Sequence, residues 1–182
     1  MLTRHLSLLF AFIVAASISL TLTTCGPANA QDADAGEDAV TTIFFSRHAE
    51  KAGGKDPELL PAGTARAERL ARKLPAKRVA AVYATSYRRT QATAAPTAKT
   101  AGVNVRPYAA DGSAKALTDG WLKKHRGETI LVVGHSNTVP DLLNALTGTR
   151  AYGNIDEGDY SRLYKVTVSG KGKAKVRELT SD

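Results

Sequence analysis

The chain has 182 residues, with 25 Lys and Arg against 17 Asp and Glu, for a formal net charge of +8. That length fits one domain able to bury a core of its own, and a 43% hydrophobic composition excludes disordered and collagen-like classes. A single Cys excludes an internal disulfide scaffold and any Cys-cluster zinc or iron–sulfur site.

Residues 1–30 read as a signal peptide. Arg4 is the only full charge there, an apolar run spans Leu6 to Leu22, and Ala28-Asn29-Ala30 forms a small-x-small cleavage site. The run is close to the length of a membrane-spanning helix, but its small-residue exit and the acidic spacer that follows favour cleavage. Leu22-Thr23-Thr24-Cys25 offers the alternative of lipidation at Cys25, which would tether the protein to the membrane as a lipoprotein. Loss of residues 1–30 removes Arg4 and the only Cys and leaves the charge at +7. The expectation is a periplasmic or secreted, cysteine-free protein with anionic partners. The basic residues are scattered rather than striped with aromatics, so nucleic acid is not expected.

Residues 31–40 are a polar linker, and 41–182 form the domain. Thr41 to Ser46 is β-branched and aromatic and reads as a buried strand. Residues 53–57 are a loop, and Leu60 to Leu74 has helical spacing, with Pro61 at its start and Pro75 beyond its end. Val79 to Ala84 is a second strand. Tyr87 to Thr100 is an Ala-rich helix expected to bend or break at Pro96. Val103 to Val105 reads as a short third strand, and Ala114 to His125 as a helix. Thr129 to Gly134 carries the strongest strand pattern, and Asn137 to Leu146 follows as a helix ended by Gly148. Tyr160 to Val168 reads as a strand with one mostly apolar face (Tyr160, Arg162, Tyr164, Val166, Val168) and one mostly polar face. Residues 169–173 form a solvated turn that leads into Lys175 to Leu179. Gly170-Lys171-Gly172-Lys173 lacks the full phosphate-loop pattern. The alternation predicts an α/β class, a three-layer α/β/α sandwich with a mainly parallel central sheet and an antiparallel C-terminal edge hairpin.

Chemistry collects at strand ends, where open α/β sheets bind ligands. The first strand ends in Arg47-His48-Ala49-Glu50, the second in Thr85-Ser86-Tyr87-Arg88-Arg89, and the fourth in Gly134-His135-Ser136-Asn137. A neutral imidazole can attack phosphorus and later leave. A guanidinium matches phosphate oxygens with a planar fork. Two His and two Arg at neighbouring strand ends therefore make a phosphate pocket with a nucleophile. Glu50, Asp111 and the two His share no metal-ligand spacing, so no metal or other cofactor is expected.

These segments resemble the histidine phosphatase superfamily, the phosphoglycerate mutase-like fold. Arg47-His48-Ala49-Glu50 looks like its Arg-His-Gly/Ala-Glu signature, residues 85–94 are similar to its Ser-x-x-x-Arg-Ala-x-x-Thr-Ala segment, and residues 132–136 match its second His. The resemblance covers roughly residues 41–150. It implies that His48 is the nucleophile, and that Arg47, Arg89 and His135 bind the phosphoryl group and stabilise its transition state. Arg88 falls at a variable position and reads as surface, Glu50 as a local hydrogen-bonding partner, and Asn137 as a residue of the pocket rim. The resemblance leaves the general acid open. Ser136 stands where one branch has Asp, so Asp111, with Asp119 behind it, is the candidate from the stretch between the second and third motifs. Thr85 and Thr90 replace the usual Ser and Ala.

The resulting expectation is a metal-independent phosphatase that hydrolyses phosphomonoesters through phosphohistidine in the bacterial envelope. Its substrate would be a phosphorylated small molecule or an envelope glycolipid. The compact chain lacks the cover a mutase needs, which argues for hydrolysis. The alternatives are a phosphohistidine protein phosphatase, or a non-catalytic polyanion-binding envelope protein of the same fold.

Overall fold

A computed structural model describes residues 39–75 and 78–182. The expected signal peptide, Cys25 and residues 31–38 of the expected linker lie outside the described residues. Among the described residues, strands and helices alternate as far as a final pair of strands: β1 (Thr41–Arg47), α1 (Pro61–Lys73), β2 (Val79–Thr85), α2 (Arg88–Ala101), β3 (Val105–Tyr108), α3 (Ala114–Lys124), β4 (Thr129–Gly134), α4 (Thr138–Thr147), β5 (Arg162–Val168) and β6 (Ala174–Thr180). One sheet holds all six strands in the order β3-β2-β4-β1-β5-β6. The first four are mutually parallel, β5 runs antiparallel to β1, and β6 runs antiparallel to β5. This is the expected α/β sandwich with its antiparallel C-terminal edge.

The strands alternate between two cores, as the two-residue side-chain period requires. Ile43, Phe45, Tyr83, Ile130 and Val132 pack on one face with Trp121 of α3 and with Val139, Leu142 and Leu143 of α4. Phe44, Val82, Leu131 and Val133 pack on the other with Leu70 of α1 and with Ala94 and Ala98 of α2. Burial on both faces explains why β1, β2 and β4 read as continuous apolar runs.

Three expectations need correction. The third strand starts at Val105 rather than Val103. Gly102 caps α2 in the left-handed region (φ 70°), and the N–H of Val103 returns to the carbonyl of Ala98, so Val103 still belongs to the helix end. The strand then runs on through Pro107, which is tolerated because β3 is an edge. Second, α2 runs unbroken through Pro96. The carbonyl of Ala92, which a proline N–H would have served, lies on an exposed residue. Third, β5 starts at Arg162, and Tyr160 lies before it. The face called mostly polar also contributes Leu163, 2% exposed, to the second core.

Candidate active site

The sheet order puts β1, β4 and β2 side by side, so their carboxyl ends converge. Arg47 and Gly134 are register partners, and the His48 N–H donates to the Gly134 carbonyl at 2.9 Å. The two motif histidines therefore leave adjacent strands together, with ring centroids 5.6 Å apart. Gly134 is required here by close approach. A Cβ on it would lie 2.6 Å from Thr138 Oγ1 and 2.8 Å from the Tyr108 hydroxyl. Thr138 Oγ1 accepts the His135 N–H at 2.9 Å and so shapes the turn into α4.

Hydrogen bonding assigns both tautomers. His48 Nδ1 lies 2.8 Å from the Ala49 carbonyl, which can only accept. The proton therefore sits on Nδ1, and Nε2 keeps a free lone pair. Burial, joined by the charges of Arg47 and Arg89 and by His135, pushes His48 down to about 4 despite that carbonyl bond. Arg89 Nη2 donates to His135 Nδ1 at 3.3 Å, so His135 Nε2–H donates to Thr85 Oγ1 at 2.9 Å. Thr85 passes the bond to Thr90 Oγ1 at 2.8 Å, and Thr90 donates to the Tyr87 carbonyl at 2.7 Å. Burial, then Arg89 and Arg47, lower His135 to about 4 as well. Both imidazoles are neutral at physiological pH.

The two arginines are held differently. Arg47 is 1% exposed, and its Nη1 donates to the carbonyls of Asp156, Glu157 and Asp159 at 2.8, 2.9 and 3.2 Å. Its Nη2 donates to Glu157 Oε2 at 2.7 Å, and its Cζ stacks 4.4 Å over the Tyr160 ring. Arg89 stacks 4.4 Å over Tyr87 and places Nη1 3.6 Å from Asp56 Oδ1. The Nε atoms of both arginines are buried and have no hydrogen-bond partner. Buried donors are rarely left unpaired without reason.

The structure thus brings Arg47, His48, Arg89 and His135 into one cluster. Glu50 lies beside it and points to Arg66, with bonds of 2.8 to 3.0 Å. Burial opposes ionisation of Glu50, but the Arg66 bonds hold its carboxyl below its ordinary value. Arg88 is exposed and pairs with Glu58. Asn137 is exposed at the start of α4, and its side chain caps nothing. Asp111 is exposed in the turn between β3 and α3, and no hydrogen bond joins it to the cluster. Asp119 sits on α3 and pairs with Lys115 at 2.6 Å. Among the described residues, no three His, Cys, Asp or Glu side chains converge as metal ligands.

Sequence reasoning missed Glu157, Tyr160 and Asp56. Glu157 bridges Arg47 and Ser136, whose Oγ donates to Glu157 Oε1 at 2.6 Å. The available signal was Asp156-Glu157-Gly158-Asp159, an acidic turn in a basic chain.

A sequence model of the histidine phosphatase superfamily (branch 1) matches residues 43–110, which include Arg47, His48 and Arg89. No curated protein sequence matches the chain. Solved structures do. YhfR of Bacillus stearothermophilus is 19% identical with a TM-score of 0.61, covering 75% of this chain and 95% of its own. A putative phosphohistidine phosphatase SixA from Nakamurella multipartitia is 21% identical with a TM-score of 0.60, covering 80% and 97%. A mycobacterial glucosyl-3-phosphoglycerate phosphatase is 13% identical with a TM-score of 0.62, covering 78% and 98%. At these identities the structural likenesses establish the fold.

Proposed function

We propose that this chain, whose residues 43–110 match the model of the histidine phosphatase superfamily, is a phosphoric-monoester hydrolase acting through a covalent phosphohistidine on His48. The observation that carries the reading is the pairing of a free His48 Nε2 lone pair with two buried, unpartnered guanidinium Nε atoms in the same cluster. The nucleophile is neutral and aligned by the Ala49 carbonyl, and the orphan donors match the oxygens of a phosphoryl group.

His48 Nε2 attacks phosphorus, and the bond to the leaving oxygen breaks. Arg47 and Arg89 carry the charge that spreads over the equatorial oxygens, and His135, neutral and bonded to Thr85, positions the Arg89 guanidinium through its Nδ1. One preorganised donor of this kind is worth roughly 3–4 kcal/mol of barrier. Water then attacks the phosphohistidine, His48 leaves as a neutral imidazole, and phosphate is released. The side chains that do this need no metal ion.

The apolar segment from Leu6 to Leu22 and its small-residue exit support export to the bacterial envelope, with lipidation of Cys25 as the alternative. A phosphorylated small molecule is the substrate class, and an envelope glycolipid is the candidate that the basic surface and export favour.

The test is phosphate release from an aryl phosphate by the full chain in EDTA, beside His48→Ala. Activity that persists in EDTA and disappears with His48 supports the reading. Activity retained in the His48→Ala variant overturns it.

A further inference from the structure

The cluster assigned so far has no group to move the proton. The leaving oxygen needs one in the first step, and the attacking water must lose one in the second. His48 is the nucleophile, and the Nε2–H of His135 is committed to Thr85. Two carboxylates touch the cations of the site. Asp56 lies 3.6 Å from Arg89, but it also accepts the backbone N–H of Arg88 at 3.0 Å, which ties it to the start of α2. Glu157 instead links the motifs that carry both histidines. One oxygen sits 2.7 Å from Arg47 Nη2, and the other accepts from Ser136, the residue after His135, at 2.6 Å. Its side chain is 75% exposed, so it exchanges protons with water.

We propose that Glu157 is the proton-transfer residue, giving a proton to the leaving oxygen in the first step and taking one from water in the second. The assignment rests on the hydrolase reading above.

The charges around Glu157 suit the task. The Ser136 hydrogen bond holds its carboxyl below the ordinary value against slight burial, and Arg47 and His48 of the first motif and Lys51 beyond them add to this. In the free protein Glu157 is therefore a carboxylate, able to accept a proton. A phosphomonoester has its second ionisation near pH ~6, so at mildly acidic pH it arrives as a monoanion. On binding, the ester's negative charge beside Glu157 raises its proton affinity, so the ester's proton passes to Glu157 as the resulting dianion takes the arginines. As the His48 Nε2–phosphorus bond forms and the ester oxygen–phosphorus bond breaks, Glu157 returns that proton to the departing oxygen, which leaves as a neutral alcohol. In the second step water adds to phosphorus, Glu157 takes a proton from it, and the Nε2–phosphorus bond breaks. The proton on Glu157 leaves with the phosphate. Ester and water have become alcohol and phosphate, and the protein is unchanged.

Glu157→Gln tests this with little change of shape. Its amide oxygen still accepts from Arg47, and its amide nitrogen donates to Ser136. The full chain and this variant are compared on an alkyl phosphate, whose leaving oxygen needs a proton, and on 4-nitrophenyl phosphate, whose leaving oxygen does not. Acid-labile phosphate on His48 is trapped in both. The expected result is a loss of about 100-fold or more on the alkyl ester and less than about tenfold in His48 phosphorylation by the nitrophenyl ester. Phosphohistidine should also accumulate in the variant, because its hydrolysis slows. Equal losses in His48 phosphorylation by both esters, or no loss in it with the alkyl ester, overturn the assignment. A selective alkyl-ester loss in Asp111→Asn rather than in Glu157→Gln also overturns it, in favour of Asp111. A parent chain that forms no acid-labile phosphate overturns the hydrolase reading itself, and this assignment with it.

Discussion

Thr85→Val removes one hydroxyl from the buried chain that orients His135. Thr85 is 0% exposed and accepts from His135 Nε2–H at 2.9 Å. Thr90 keeps its acceptors in the variant, because its hydroxyl reaches the carbonyls of Tyr87 and Thr85 at 2.7 and 2.9 Å. The substitution therefore orphans a single buried donor, the N–H of His135. Leaving such a group unpaired costs about 1–3 kcal/mol. Stability should fall by that amount in equilibrium urea unfolding. The ring also loses the bond that fixes its tautomer. If the cost falls on the state in which the ring must hold Arg89 against the phosphoryl group, kcat/KM on an aryl phosphate drops by roughly 5- to 150-fold. Thr85→Ser restores the hydroxyl and loses only a buried methyl. It should lose about 1 kcal/mol of stability and keep near-parental kcat/KM. A Thr85→Val protein with parental kcat/KM, or a Thr85→Ser protein as slow as Thr85→Val, would refute the assignment of His135 Nε2–H to Thr85.

Three further outcomes are expected. Both site histidines sit near 4 in the folded protein against 6.5 for the ordinary side chain. Between those values the unfolded chain binds protons that the folded site refuses, so stability should fall as pH drops from 6.5 towards 4; urea midpoints across that window check it, and a flat profile contradicts it. Gly63→Ala would put a Cβ 2.2 Å from the backbone oxygen of Glu50, so a change that normally favours a helix should here lower the urea midpoint. Arg89→Lys loses the planar fork and the orphan Nε, and kcat/KM should fall about 100- to 1,000-fold with stability little changed; a loss below tenfold argues against a direct phosphoryl contact.

What sequence reasoning could reach follows from the range of each interaction. Arg47, His48, Arg89 and His135 stand out because strands made of apolar runs end abruptly in charge, and sheet geometry sends such ends to one edge. The partners of Arg47 do not stand out. Its carbonyls belong to Asp156, Glu157 and Asp159, and nothing local to Arg47 marks them. Tyr160 fitted a two-residue alternation, yet its ring covers a guanidinium rather than extending β5. Val103 looked like the start of a strand because its β-branched side chain says so, while the backbone bond that claims it comes from Ala98. Pro96 looked like a break because the local rule ignores whether solvent can serve the orphaned carbonyl.

Strand β1 lies between β4 and β5, and Arg47 is gripped by backbone from 109 to 112 residues later in the chain. A chain synthesised from its N-terminus therefore carries His48 early and completes the grip on Arg47 late. Neither neighbour of β1 exists until most of the domain has been made, and contacts of such long sequence separation form slowly. Until those partners are made, His48 stands beside an arginine that nothing yet holds, so the assembled cluster is a property of the finished fold.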